Sequence, residues 1–255
     1  MLVTPALDQK NRWAAILLAG LVAVAGIVIG AAFWPALVLV PLSGLVYWWV
    51  RRPCVRRARV IREPFPEERE RALISHVEFF RALDDEGKTR FRKLVNVFLD
   101  EVTITGIRTD VDELTRTLVA ASAVIPVFGF DDWEYSRLGE VLIYPSAFGS
   151  EYQTDEGAER NTLGMVGVNH LSGVMILSKP ALIDGFANPG DKRNVGIHEF
   201  AHLVDKADGS VDGIPAGIPA DTVRPWIDWV GKELVDRKDG RSHIDRYAYT
   251  NEAEY

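Results

Sequence analysis

Residues 13–50, "WAAILLAGLVAVAGIVIGAAFWPALVLVPLSGLVYWWV", are 38 consecutive positions without a charged side chain. As one helix this stretch would be about 57 Å long, almost twice a hydrocarbon core of about 30 Å. Two passes of about 19 residues each fit a bilayer better. The break is expected near Phe33-Trp34-Pro35, because proline ends a helix at its preceding residue and tryptophan suits the interface. Trp13 and Tyr47-Trp48-Trp49 would then lie at the opposite interface. The rival is a single tilted span, because Pro41 shortens the second segment. A cleavable signal peptide fits poorly, the apolar stretch being too long and without an obvious small-residue cleavage site.

The flanks orient the segment. Lys10 and Arg12 precede it, and "RRPCVRRARVIR" follows with Arg51, Arg52, Arg56, Arg57, Arg59 and Arg62. By the positive-inside rule both ends belong in the cytoplasm, at the inner membrane. The arginine cluster also suits anionic lipid headgroups. Residues 1–62 hold eight Lys/Arg against Asp8 alone, whereas the remainder holds 21 basic against 35 acidic residues. An acidic body argues against direct nucleic-acid binding, which needs a basic face. With Cys54 the sole cysteine, no disulfide and no thiolate zinc ribbon can form within the chain.

These features divide the chain into a cytoplasmic N-terminus (1–12), a transmembrane hairpin (13–50), a basic juxtamembrane linker (51–66) and a soluble domain (67–255). In that domain, spacing predicts amphipathic helices over about 67–83 and 86–100. Asp110 followed by Glu113 reads as the cap of a third helix running to about Val124. A short strand is expected at 139–148, closed by Pro145, then a polar mobile loop at 149–162. "MVGVNHLSGVMILS" (165–178) reads as two short strands or a hairpin. Helices first, a small sheet next, then one more helix make an α+β domain.

That later helix carries "NVGIHEFAHLVDKADG" (194–209), with the pattern His198-Glu199-x-x-His202. Residues four apart share a helix face, so both imidazoles can address one ion while Glu199 polarises a metal-bound water. Catalytic zinc needs a third protein ligand and an open position. Asp205, Asp208 and Asp212 are near candidates; Glu233, His243, Glu252 and Glu254 are distant ones. Asp205 stands where one class of such sites has a turning glycine, which disfavours a ligand at Asp208. A site with a cysteine ligand has no counterpart here. A ligand from "HIDRYAYTNEAEY" (243–255) remains, with Asn251 as a cap, and spacing leaves Glu252 and Glu254 both open. Asp205 could also orient a ligand imidazole, or be a surface aspartate. His76, His170 and His243 read as structural.

"ASAVIPVFGF", "VLIYPSAF", "SGVMILS", "NVGIHEFAHLVDKADGSVDGIP" and "DRYAYTNEAEY" together resemble the Mlc titration factor A family of zinc-dependent peptidases, whose catalytic core is similar to that of anthrax lethal factor. The resemblance runs along most of residues 75–255 and leaves out the apolar N-terminal segment. It implies a zincin-like metallopeptidase domain with Zn2+ held by His198, His202 and Glu254, Glu199 as general base and Tyr247 donating its hydroxyl to the developing oxyanion. Family members continue past the equivalent of Tyr255 with an aromatic-rich helix, so a further C-terminal segment is expected. They often carry glutamine where Leu203 stands. Expected partners are a peptide or protein substrate, the membrane and, from the family name, a transcription repressor, whose sequestration with slow cleavage is the alternative function. Gly173 to Leu177 is the expected edge strand for an extended peptide, with a core strand as the equal alternative.

Overall fold

Thr4 Oγ1 accepts a hydrogen bond from Leu7 N at 3.2 Å and so caps α1 (Pro5–Gly30), the first element of the computed structural model. The structure describes residues 4–130, 133–145, 164–166, 173–188, 194–208, 214 and 218–238. The chain forms two compact units, Met1–Pro64 with Asp131–Glu134, and Phe65–Phe130 with Tyr135–Tyr255.

In the first unit α1 ends at Gly30, and a 3₁₀ turn (Trp34–Val38) leads into α2 (Leu39–Val60). The two helices run antiparallel. Asn11 Nδ2 donates to Val50 O at 3.3 Å, and Arg51 pairs with Asp8 at 2.7 Å and donates to Asn11 Oδ1 at 3.0 Å. Near the turn, a Cβ on Gly26 would lie 2.8 Å from Leu39 Cβ, so the backbones approach closely there. Among the described residues Ala6–Gly30 alone has the length and apolarity to cross a bilayer, with mean hydropathy 2.5. The apolar part of α2 ends at Val50, and the helix continues through the arginines to Val60 with Pro53 inside it. Residues 51–60 are therefore helical.

The second unit starts at α3 (Glu67–His76), with Pro66 at its N-cap position. The single helix expected over 67–83 is two, because Val77, fully buried, turns to extended backbone before α4 (Glu78–Ala82). Arg81 stabilises the break by donating to the carbonyls of Ile74 and Ser75 at 3.0 and 3.2 Å. His76 Nδ1 lies 3.2 Å from Ala72 O, within its own helix. Asp84 caps α5 (Asp85–Glu101), whose Arg92 grips Glu70 of α3 through two hydrogen bonds at 2.7 and 2.6 Å. That contact holds the Arg92 guanidinium pKa above its ordinary value.

At the centre is α6 (Glu113–Val127), capped by Asp112 rather than Asp110. Residues 117–124 of it are all buried, and the run Ala120-Ala121-Ser122-Ala123 lets neighbours approach on every side. Helices α3 and α5 pack on it, as do two later ones, α7 (Lys179–Ala187) and α8 (Val195–Asp205). The sheet has strand order β1-β2-β4-β3. Strands β1 (Thr103–Gly106), β2 (Glu140–Tyr144) and β4 (Val174–Ser178) are parallel, and β3 (Gly164–Val166) pairs antiparallel with β4. Alternation along β2 and β4 buries Val141, Ile143, Met175 and Leu177. The Gly173–Leu177 stretch is thus an interior strand, with β2 on one side and β3 on the other; among the described residues β1 and β3 form the edges. Strand β1 was not foreseen. Ser178 then caps α7 (Lys179–Ala187). The architecture is helix-dominated with a small, mostly parallel sheet. The loop expected at 149–162 lies outside the described residues.

Candidate metal centre

Asn194 accepts from Ile197 N at 3.0 Å and starts α8 (Val195–Asp205), the helix of the His-Glu-x-x-His pattern. Two contacts fix this helix. Gly196 sits so close to α6 that a Cβ there would lie 2.3 Å from Ser122 Oγ and 2.9 Å from a Leu182 methyl. Phe200, fully buried, meets Phe98 and Tyr135 edge-on at 5.6 and 5.3 Å. Burial raises the Tyr135 phenol above its usual pKa, so it stays protonated and donates to Ala123 O at 2.7 Å. Glycine and phenylalanine thus clamp the helix on one side and leave the histidine face to the other.

His198 Nε2 and His202 Nε2 face each other at 3.0 Å, with their rings 4.4 Å apart and inclined by 76°. Two nitrogens bound to one tetrahedral zinc at 2.0–2.1 Å would stand about 3.3 Å apart. The observed separation is within a few tenths of an ångström of that, and both are the nitrogens a metal would use. Two imidazole nitrogens in that relation suit zinc. Glu199, one residue on, is 8% exposed, and so is Asp205. Burial removes the surface-aspartate alternative for Asp205 and is what an orienting role requires.

Among the described residues no third His, Cys, Asp or Glu joins the pair. Glu254 and Tyr247, the expected third ligand and hydroxyl donor, lie outside the described residues, as do Glu252, His243, His170 and Asp212. Of the five expected site residues the structure brings His198 and His202 together, with Glu199 buried on the same helix. Sequence reasoning missed the clamp: Gly196, Ser122, Phe98 and Tyr135. A glycine in the first turn of the helix was its signal, since alanine is the better helix former unless a neighbour demands the space.

Residues 51–255 match the sequence pattern of the glucose-regulated metallo-peptidase M90. The match takes in the arginine-bearing half of α2. An uncharacterized protein of Synechocystis is 25% identical over 234 residues, covering 86% of this chain and 85% of the relative. Residues 51–255 are only about four fifths of the chain, so that similarity reaches into the N-terminal apolar segment.

Proposed function

The chain belongs to the glucose-regulated metallo-peptidase M90 family, and from that membership we propose that it is a membrane-tethered zinc peptidase hydrolysing peptide bonds on the cytoplasmic side of the inner membrane. The carrying observation is the 3.0 Å approach of His198 Nε2 and His202 Nε2 beside a buried Glu199. In this reading Glu254 completes the ligand set. A bound zinc ion supplies Lewis-acid polarisation and a water acidified towards a pKa of about 7. Glu199 takes the water's proton on its carboxylate and passes it to the leaving amine nitrogen. Tyr247 donates its hydroxyl hydrogen to the carbonyl oxygen as that oxygen gains charge. The substrate-aligning edge is β3, which neighbours α8, rather than the interior β4. Helix α1 supplies the tether.

The test is the metal content of the purified full chain, wild type and His202→Ala, with cleavage of a small peptide panel. One zinc per wild-type chain, lost together with cleavage in the variant, is the expected result. Full zinc occupancy in His202→Ala, or cleavage by a metal-stripped wild type, would sink the reading.

A further inference from the structure

The hairpin unit carries a second arrangement. Val22, Leu39, Leu42, Leu45, Val46, Trp48 and Trp49 line an open, almost wholly apolar groove of about 500 Å³. At 100° per residue, Leu45, Trp49, Arg52, Arg56 and Arg59 fall within about 40° of one line along α2. The groove's wall therefore continues, turn by turn, into arginines. The arginines of the cluster divide by face. Arg51 is used inside the hairpin, on Asp8 and Asn11, and Arg57 is bonded to Glu134. Arg52 and Arg59 are exposed, and the Arg52 guanidinium lies 5.4 Å from the centre of the Trp48 ring, held at the groove's mouth. No acidic residue occurs between Arg51 and Arg62 to offset them.

We propose that this face is a binding site for one anionic phospholipid, with an acyl chain in the groove, the phosphate on Arg52, and Arg59 adding positive charge at headgroup level. An apolar groove alone accepts the chain of any lipid, whereas guanidinium charge at its end favours a headgroup of net negative charge over one whose phosphate is offset by a choline cation. The juxtaposition of chain groove and arginines singles out a lipid over a free anion, which has no use for Leu42, Leu45 or Trp49. The site rests on the reading of the hairpin as a membrane anchor, and that reading fails separately, by recovery of the full chain in the soluble fraction without detergent.

The experiment is native mass spectrometry of the full chain in neutral detergent, titrated with phosphatidylglycerol, phosphatidylcholine or inorganic phosphate. One phosphatidylglycerol is expected to be retained per chain in preference to phosphatidylcholine. An arginine near the headgroups contributes about fivefold, so R52Q/R59Q should weaken phosphatidylglycerol retention roughly 25-fold and leave phosphatidylcholine unchanged. Both substitutions are at exposed positions, and an unchanged lipid-free melting temperature verifies the fold. Equal retention of the two lipids by the wild type overturns the site, as does a preference surviving in R52Q/R59Q. Displacement of phosphatidylglycerol by millimolar inorganic phosphate also overturns it.

Discussion

A methyl group on Gly196 would lie 2.3 Å from Ser122 Oγ and 2.9 Å from Ser122 Cβ, so the helix bearing both histidines is seated on α6 through a residue without a side chain. Ser122 cannot yield easily, being fully buried with its hydroxyl bonded to Leu118 O at 2.9 Å. Gly196→Ala should therefore destabilise the domain by about 1–3 kcal/mol, the usual range for overpacking. That opposes the gain of about 1 kcal/mol which alanine brings to an unconstrained helix. Urea unfolding of the single variant and of Gly196→Ala in a Ser122→Gly background checks it. Relief in the second background is expected; equal costs in both would remove the contact as the cause.

Glu199→Gln keeps the size of a side chain that is 8% exposed while removing its capacity to take a proton. Loss of a general base costs about 10²–10⁴-fold in rate. The expected variant is folded, carries zinc as the wild type does, and cleaves peptides more slowly by that factor. A kcat/KM within twofold of wild type would take Glu199 out of the chemistry. Capture of a transcription repressor by the variant would locate any sequestering role apart from hydrolysis.

The histidine pair was legible because helical spacing is local: residues 198 and 202 share a face whatever surrounds them. The same holds for α5, whose Asp84-Asp85-Glu86 start and apolar spacing announce themselves. Pairing in the sheet was not local. "GVMIL" reads equally as an edge or an interior strand, and only the positions of β2 and β3 on either side decide between them. Strand β1 was hidden by following α5 almost without a break, Val102 being both its cap and the approach to Thr103. In "TDVDEL" two aspartates compete to cap α6, and Asp112 wins because its carboxylate also reaches the Thr115 hydroxyl at 2.6 Å. The split at Val77 depends on Arg81 reaching back to two carbonyls, which no pattern of apolar spacing contains.

Asp112 makes that cap sensitive to pH. Burial acts to raise its pKa, but hydrogen bonds from Thr115 and the Lys179 ammonium at 3.1 Å outweigh it and hold the carboxyl below its ordinary value. A depressed carboxylate contributes stability that is fully present above the unfolded-state pKa of about 3.9 and is lost as pH falls through the folded value. Asp112→Asn keeps an oxygen for Thr115 N and loses the charge, whereas Asp112→Ala loses the cap itself, at about 1 kcal/mol. Unfolding curves at pH 7 should rank wild type, then Asn, then Ala. Below pH 4 the gap between wild type and Asn should close. A gap that stays constant from pH 7 to 3 would mean the charge contributes nothing.

The same end of the hairpin unit gathers both charged flanks. Asp8 and Asn11, next to Lys10 and Arg12, bond to Arg51 and Val50 at the head of the arginine cluster. If α1 crosses the membrane, those two flanks lie at one face of it, and positive charge draws that face to the cytoplasm. A reporter fused before residue 1 and another fused after residue 62 should both read as cytoplasmic, while one inserted at Ala32 should read from the opposite side. Opposite signals at the two flanks would require a single pass and would contradict the paired flanks seen here. A periplasmic signal after residue 62 would place the histidine pair outside the cytoplasm and overturn a cytoplasmic peptidase.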